Sequence, residues 1–189
     1  TRAPGADAGV LLGSPCVLTL RRRASDARVC GIVSAVHEGF DAPAHATRAR
    51  LVVEPALAAL RCRSDSRVFQ HRTVPQILEQ VLGEGLAPFG RSVELRLEGA
   101  YPAREYTVQY RETDFDFVHR LMEEEGIAYT FEHDGDAERL VLFDRPAHYL
   151  PLAGEDGDTL CYQERADGAA ADAEGVSRLE PRSRLRPNR

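Results

Sequence analysis

The residues whose types are best suited to catalysis or metal binding lie close together, between positions 119 and 125. Glu123, Glu124 and Glu125 are consecutive carboxylates, and acid–base enzymes use pairs of carboxylates. Consecutive helix residues point about 100° apart, so three such side chains are not expected to converge on one substrate. They also lie at the negative end of the predicted helix, which is mildly unfavourable. A solvated acidic face is the simplest interpretation, and a surface that contacts a partner is the functional one.

A metal site is the second possibility in this segment. His119 and Glu123 are four residues apart, a spacing that lets two side chains of one helix bind the same ion. Zinc needs three or four ligands, and no H-E-x-x-H motif or neighbouring cysteine completes the pair. An ordinary pair on the helix surface is therefore expected, with no metal and no cofactor.

The cysteines do not suggest a zinc site or a redox motif. The four cysteines, Cys16, Cys30, Cys62 and Cys161, show no C-x-x-C spacing. We expect buried free thiols, although Cys16 and Cys30 could face each other across a hairpin that turns near Arg23. No nucleophile elbow, P-loop or dinucleotide fingerprint is present either. The sequence predicts no catalytic residue, and a carboxylate- or metal-dependent hydrolase using His119 and Glu123 remains the enzyme alternative.

The overall composition limits the classes of partner. The formal net charge is −6, which argues against a general nucleic-acid binder. All 24 basic residues are arginine. No apolar run approaches the roughly 20 residues that span a bilayer, and the first residues show no clear signal-peptide pattern. We expect a protein that binds neither nucleic acid nor membrane through this segment.

The segment from Tyr101 to His133 predicts a strand, a helix and a second strand. Tyr106, Val108 and Tyr110 alternate with polar residues, the period of a strand with one buried face. Thr113 offers a helix N-cap, and Gly126 suits a left-handed C-terminal position. The helix between them, residues 113–125, has one apolar stripe: Phe117, Val118, Leu121 and Met122.

A second helix and a possible linker precede this segment. Thr73 and Gln76 form a capping box pattern with Pro75 in the first turn. The apolar positions repeat with helical period until Gly83, where we expect the helix to end. Residues 83–90 are rich in glycine and are predicted to be a linker between two domains. Further strands are expected around residues 16–21, 28–36, 47–53, 65–70, 93–97 and 140–143.

The run YPAREYTVQYRETDFDFVHRLMEEEGIAYTFEH, residues 101–133, closely resembles the N-terminal half of VgrG, the spike protein of type VI secretion. The run LVVEPALAALRCRSDSRVFQHRTVPQILEQVL, residues 51–82, and LLGSPCVLTL near the start extend the resemblance over most of residues 10–153. The VgrG family is itself similar to the baseplate hub of contractile phage tails.

The resemblance implies a mainly β fold with short helices and two β-barrel-like domains. We expect a first domain at residues 1–83, with its N-terminus truncated, and a second at 84–153. Residues 154–175 are predicted to be a mobile acidic loop, and residues 176–189 a truncated returning strand. The neck and β-helix needle of VgrG have no counterpart before Arg189.

The resemblance also implies a structural function without catalysis. It predicts a homotrimer that joins the hexameric Hcp tube to a membrane-piercing needle and helps to deliver effectors. The needle, its PAAR tip and effectors would be reached through the missing C-terminal part. Assembly in the bacterial cytoplasm and secretion without a cleaved signal peptide are expected. A hub of a contractile phage tail or of an extracellular injection particle is the alternative. Glu123, Glu124 and Glu125 are the candidate interface.

Overall fold

The computed structural model describes residues 8–21, 26–41, 46–149, 161–162, 175–176, 178–181 and 183 of the 189. Its contacts group the chain into two compact units, Thr1–His148 and Tyr149–Arg189. This grouping differs from the predicted division near residue 84.

The first sheet of the larger unit has three antiparallel strands in chain order, with Gly31 at a crowded position. A methyl group at Gly31 would lie 2.6 Å from the Glu54 carbonyl oxygen, so the close backbone approach expected of a strand glycine is present. The register shifts between Val33 and Ala35. The strands are β1 Pro15–Leu20, β2 Ala27–Asp41 and β3 Ala46–Glu54.

Both predicted α-helices are present, with the caps that the sequence indicates. Helix α1, Val74–Leu86, begins with the Thr73–Gln76 capping box. Helix α2, Asp114–Glu125, begins at Thr113, whose hydroxyl accepts from the Asp116 N–H, and Gly126 follows it in the left-handed conformation. The predicted apolar positions of both helices are buried.

The predicted linker at residues 83–90 is wrong. Helix α1 continues through Gly83 and Gly85 to Leu86, and a 3-10 helix, Ala87–Phe89, follows directly. Gly85 is helical because its missing side chain leaves room for Leu60, whose atoms would be 2.9 Å from an added methyl group. Tertiary packing therefore outweighs the weak helix propensity of glycine here.

Two further sheets of the larger unit are built from β4 Ser64–Arg72, β5 Val93–Arg96, β6 Arg104–Thr113, β7 Ala128–Asp134 and β8 Ala137–Phe143. A two-stranded ribbon joins β4 and β6, and a mixed sheet places β8 between β5, which is parallel to it, and β7, which is antiparallel. A 3-10 helix, Ala56–Cys62, connects β3 to β4.

One hydrophobic core joins residues from both sides of the predicted boundary. Leu60, Leu78 and Leu82 pack in the same cluster as Phe117 and Leu121. All these side chains are buried. Both α-helices therefore share one core with strands from the two sides of residue 84.

The smaller unit contains two short strands among its described residues. Strand β9, Cys161–Tyr162, pairs in parallel with β10, Gly175–Val176. β10 starts next to the predicted returning strand, and β9 lies inside the segment predicted as a mobile loop, which is therefore not all loop. Residues 154–160 and 163–174 of that segment are outside the described residues.

The prediction of a mainly β fold with short helices is confirmed. The described strands, however, form open sheets and no closed barrel. Strand β6 is unusual, because its apolar side is exposed and its polar side is buried. Thr107 and Gln109 are 5% and 0% exposed, whereas Tyr106 and Tyr110 are 63% and 68% exposed.

Candidate functional site

The three consecutive carboxylates at the end of α2 have different environments. Glu124 and Glu125 both accept from the Arg104 guanidinium, at 2.8 Å and 2.5 Å, so two of them converge on one group after all. Glu124 also pairs with Arg120 at 3.3 Å. Burial alone would raise the pKa of Glu124, but hydrogen bonds from Arg104 and Arg120 outweigh it and lower that pKa. The backbone geometry of a helix directs consecutive residues apart, but the long glutamate and arginine side chains let Glu124 and Glu125 reach the same guanidinium.

Glu123 and Glu124 are both exposed, but Glu123 alone of the three has no ion-pair partner among the described residues. It lines a cavity of about 320 Å³ together with His119, Met122, Ile127 and Tyr129. A neighbouring cavity shares one of its lining residues, Tyr129.

His119 does not present a free nitrogen to this cavity. Its Nδ1 lies 2.7 Å from the Phe115 carbonyl oxygen, and its Nε2 lies 3.2 Å from the Tyr129 hydroxyl. A carbonyl oxygen only accepts, so Nδ1 carries a proton, and in the neutral ring Nε2 accepts from the Tyr129 hydroxyl. Among the residues that the structure describes, no group of three or more potential metal ligands occurs.

Three neighbouring cavities share lining residues and are together called the aromatic groove here. The cavity beside Glu123 shares Tyr129 with a second one of about 140 Å³. The second shares Glu54, Ala58 and Arg61 with a third of about 650 Å³. The third has mainly apolar walls, including Leu12, Val33, Ala59, Pro88 and Phe89.

Aromatic contacts fix the walls of this groove. The His119 ring stacks on Phe115 at 4.0 Å and meets Tyr129 edge-on at 5.4 Å. Tyr129 meets Phe131 edge-on in turn, and the Arg61 guanidinium lies 4.4 Å from the centre of the Phe115 ring. These arrangements are the favoured ones for aromatic pairs and for cations on rings. The groove is therefore preformed.

A buried polar network explains why strand β6 turns its polar side inward. Asp114, with a side chain only 2% exposed, accepts from Arg63 at 2.8 Å and from Arg67 at 2.5 Å. Gln109 donates to Asp114 at 2.8 Å and accepts from Arg67 at 3.0 Å. Satisfying a buried carboxylate in this way removes the large cost of burying it unpaired. The network holds Gln109 inside and turns its neighbours outward.

The outward side of the ribbon is an exposed apolar strip, here called the tyrosine stripe: Val68, Tyr106, Val108 and Tyr110. Val68 lies directly opposite Val108, and Gln70 lies opposite Tyr106. These two cross-strand pairs, at the middle of the stripe, contain no charged side chain. The alternation of Tyr106, Val108 and Tyr110 was visible in the sequence, but it did not show that this face lies outside.

The described cysteines are free thiols, as predicted, but only one of them is buried. Cys30 is buried, Cys16 is partly buried and Cys62 is exposed. Cys16 and Cys30 are not directly opposite, because Cys16 pairs with Gly31 and Cys30 with Val17. Burial raises the pKa of the Cys30 thiol, which makes it less nucleophilic at neutral pH. The side chain of Cys161 is outside the described residues.

The described helices contain none that is long and apolar enough to cross a membrane. The surface of the described residues carries an apolar stripe, an aromatic groove and paired charges. Such surfaces are typical of proteins that bind other proteins.

Comparison with known proteins decides the family. The family model for the phage tail baseplate hub matches residues 1–189, the whole chain. The chain belongs to the phage tail baseplate hub family.

Curated relatives of this hub chain include type VI secretion spike proteins. It is 40% identical over 160 residues to the spike protein VgrG4b of Pseudomonas aeruginosa, covering 79% of this chain and 19% of that protein. It is 37% identical over 169 residues to the actin cross-linking toxin VgrG1 of Vibrio cholerae, covering 82% and 15%. The predicted resemblance to VgrG is confirmed, and the matched part spans about a fifth or less of these relatives' length.

A solved structure supports the same fold. The c3393 protein of E. coli is described as a component of the type VI secretion system with structural similarity to the T4 bacteriophage tail proteins gp27 and gp5. It matches with a TM-score of 0.66 and 28% identity, covering 79% of this chain and 40% of that chain.

Proposed function

We propose that this chain forms the tube-facing body of a type VI secretion spike. The observation that carries the proposal is the combination of a whole-chain match to the hub family with about 40% identity to VgrG spike proteins. The surface agrees with a role in assembly, because it carries an exposed aromatic stripe and a preformed groove. The function is mechanical, and the chain itself catalyses no reaction.

The proposed assembly is a homotrimer that docks on the hexameric Hcp tube. A threefold body can meet a sixfold ring when each chain presents two similar contact regions, so that comparable interfaces form around the ring. The rest of the spike, a PAAR tip and effector proteins would join through other parts of the full-length protein. We place its assembly in the bacterial cytoplasm and its delivery through the secretion machine without signal-peptide cleavage.

The molar mass in solution tests the trimer. Light scattering across a dilution series is expected to give about three times 20.9 kDa. Co-elution with purified Hcp hexamer then tests tube docking, with a monomeric protein of similar charge as the control. A monomer at every concentration would assign trimerisation to other parts of the spike, and absence of Hcp binding by a trimer would contradict the docking proposal.

A hub in a contractile phage tail or an extracellular injection particle is the second candidate. The name of the matching family, a phage tail baseplate hub, favours it. The two candidates differ in the tube protein that they bind. Purification of the chain from its native cells, followed by mass spectrometry, distinguishes an Hcp-type tube from a phage or particle tube protein.

The enzyme alternative is tested separately by metal analysis of the purified protein. His119 has both ring nitrogens engaged and Glu123 lies in a shallow cavity. We expect no stoichiometric transition metal in the purified chain. A stoichiometric metal that disappears in a His119→Ala variant would revive a hydrolase function.

A further inference from the structure

Two surfaces of the larger unit are more apolar than a solvent-exposed surface needs to be. One is the tyrosine stripe and the other is the aromatic groove. The stripe is a face of a two-stranded ribbon, whereas the groove is a set of neighbouring cavities. One surface therefore offers projecting side chains, and the other offers space for them.

The stripe has the composition of an interface centre. Tyr106 and Tyr110 are about two-thirds exposed, and Val68 lies between them on the neighbouring strand. Aromatic residues are enriched and charged residues depleted at the centres of protein interfaces. With about 200 Å² for each tyrosine side chain, the stripe exposes on the order of 400 Å². That is about half of the 800 Å² that each partner contributes to a standard interface.

The unpaired charges that border the two surfaces have opposite signs, whereas the arginines that line the groove, Arg61 and Arg63, are paired with Glu54 and Asp114. Arg72 and Arg111 lie at the two ends of the stripe, and neither has an ion-pair partner among the described residues. Arg111 lies 5.4 Å from the centre of the Tyr110 ring. Glu123, equally without an ion-pair partner in the described part of the chain, lies at one end of the groove. Opposite charges at the edge favour correct encounter and register.

A cyclic trimer requires two different surfaces on every chain. A twofold interface pairs a surface with itself, whereas a ring of three pairs one surface with another on the next copy. Stripe against stripe would also bring arginines against arginines, which costs binding energy. We propose that the tyrosine stripe of one copy packs into the aromatic groove of the next copy. This inference rests on the proposed trimer and specifies which surfaces close it.

Two sets of substitutions at exposed positions test the pairing. The stripe variant combines Tyr106→Thr with Tyr110→Thr, which keeps residues suited to a strand. The groove variant combines Cys62→Arg with Glu123→Arg, because both side chains are exposed and line the two ends of the groove. Glu79→Arg, at an exposed position on α1 that lines none of the three groove cavities, is the matched control. Circular dichroism establishes that each variant is folded.

The two variants are expected to associate poorly alone but to bind each other when mixed. Each variant alone should need at least about tenfold more protein to associate, since truncating central interface residues has large effects. Mixing the two variants should produce a heterodimer, because one intact stripe then meets one intact groove. The mixture should not form closed trimers. The control should associate like the wild-type chain.

Other outcomes overturn the inference. A trimeric wild type whose folded stripe and groove variants also form trimers would show that different surfaces close the ring, and would leave the proposed trimer standing. Variants that fail to associate alone and form no heterodimer when mixed would contradict the pairing of these two surfaces. A wild-type chain that stays monomeric at every concentration would contradict both this inference and the trimer of this segment.

Discussion

Gly31 shows how a single residue sets the distance between two strands. Its position leaves only 2.6 Å between an added methyl group and the Glu54 carbonyl oxygen. A side chain here would push β2 away from the end of β3, and overpacking of this kind costs about 1–3 kcal/mol. Gly83 is different, because nothing lies within 4 Å of an added methyl group.

Gly31→Ala is therefore expected to lower the free energy of unfolding by about 2 kcal/mol. Gly83→Ala, in the open face of α1, is expected to raise it by about 0.5–1 kcal/mol, because alanine loses less backbone entropy on folding. Urea unfolding followed by circular dichroism measures both. Equal effects of the two substitutions would contradict the steric explanation.

Asp144 is a residue whose charge holds a loop in place. Its carboxylate accepts from the N–H groups of Glu98 and Gly99 and from the Tyr101 hydroxyl. Burial would raise its pKa, but these hydrogen bonds and the nearby Arg145 outweigh burial and lower the pKa from 3.8 to about 2. The same environment, chiefly burial and then Asp144, raises the pKa of Tyr101 to about 12.

The Asp144 contribution to stability should depend on pH in a defined direction. A carboxyl group with a lowered pKa in the folded state stabilises the protein above its unfolded pKa, and this stabilisation is lost as pH falls through the folded pKa. The difference in unfolding free energy between wild type and Asp144→Asn should therefore be constant above about pH 5 and should shrink between about pH 4 and pH 2. Urea titrations at several pH values measure it. A difference that is independent of pH would contradict the role of this charge.

At the scale of elements, a buried ion pair ties three segments together. Arg91, which precedes β5, donates to Glu138 of β8 at 2.6 Å, and both side chains are buried, at 7% and 3% exposure. Glu138 also accepts from the Ala56 N–H at 2.9 Å, and Arg91 donates to the Gly31 carbonyl oxygen at 3.4 Å. The pair therefore links the mixed sheet to the 3-10 helix after β3 and to β2.

Removing one partner of this pair leaves a buried charge without compensation. Arg91→Leu is expected to lower the free energy of unfolding by about 3–5 kcal/mol. Arg145→Leu is the control, because its ion pair with Glu98 is long and more than half exposed, and a surface pair contributes about 0–1 kcal/mol. Chemical unfolding of both variants measures the difference. A loss of unfolding free energy for Arg91→Leu as small as that for Arg145→Leu would show that Arg91 acts only as an ordinary surface residue.

Most elements could be predicted from local sequence, and the exceptions have specific causes. The capping box at Thr73 and the left-handed Gly126 are local signals, so both helix boundaries that depend on them were correct. The end of α1 was not, because contact with Leu60 keeps Gly85 helical. The alternation in β6 did not show which face is buried, because the Asp114 network holds Gln109 inside. Leu60 is distant in the chain from Gly85, and Arg63 and Arg67, which complete the Asp114 network, are distant from β6.

At the scale of the whole molecule, the described core lies entirely within the larger unit. Its members run from Ile32 to Leu142, and they include residues on both sides of the predicted boundary at residue 84. A cut at that boundary would separate α1 from α2 and divide the core. The prediction of two domains joined by a linker does not account for this shared packing.

A chain shortened to residues 1–148 is therefore expected to fold. Its thermal unfolding midpoint should lie within a few degrees of that of the full chain, since loss of about 1 kcal/mol shifts the midpoint of a domain of about 150 residues by only about 2–4 °C. A still shorter chain that ends at residue 83 loses eight of the 18 buried residues of the shared core and should be unfolded. Circular dichroism and thermal melting check both. An unfolded 1–148 chain would show that the smaller unit is required.

The sequence by itself determined the family and most of the elements. Long ordered motifs in residues 51–82 and 101–133 identify the hub family, and local capping and periodicity identify the helices and strands. The tertiary structure alone decided which side of β6 faces inward and which charges pair. It turned Thr107 and Gln109 inside, paired Glu124 and Glu125 with Arg104, and left Glu123 beside the groove. The physical reason is that periodicity separates the two faces of a strand or helix, whereas burial depends on partners that are distant in the chain.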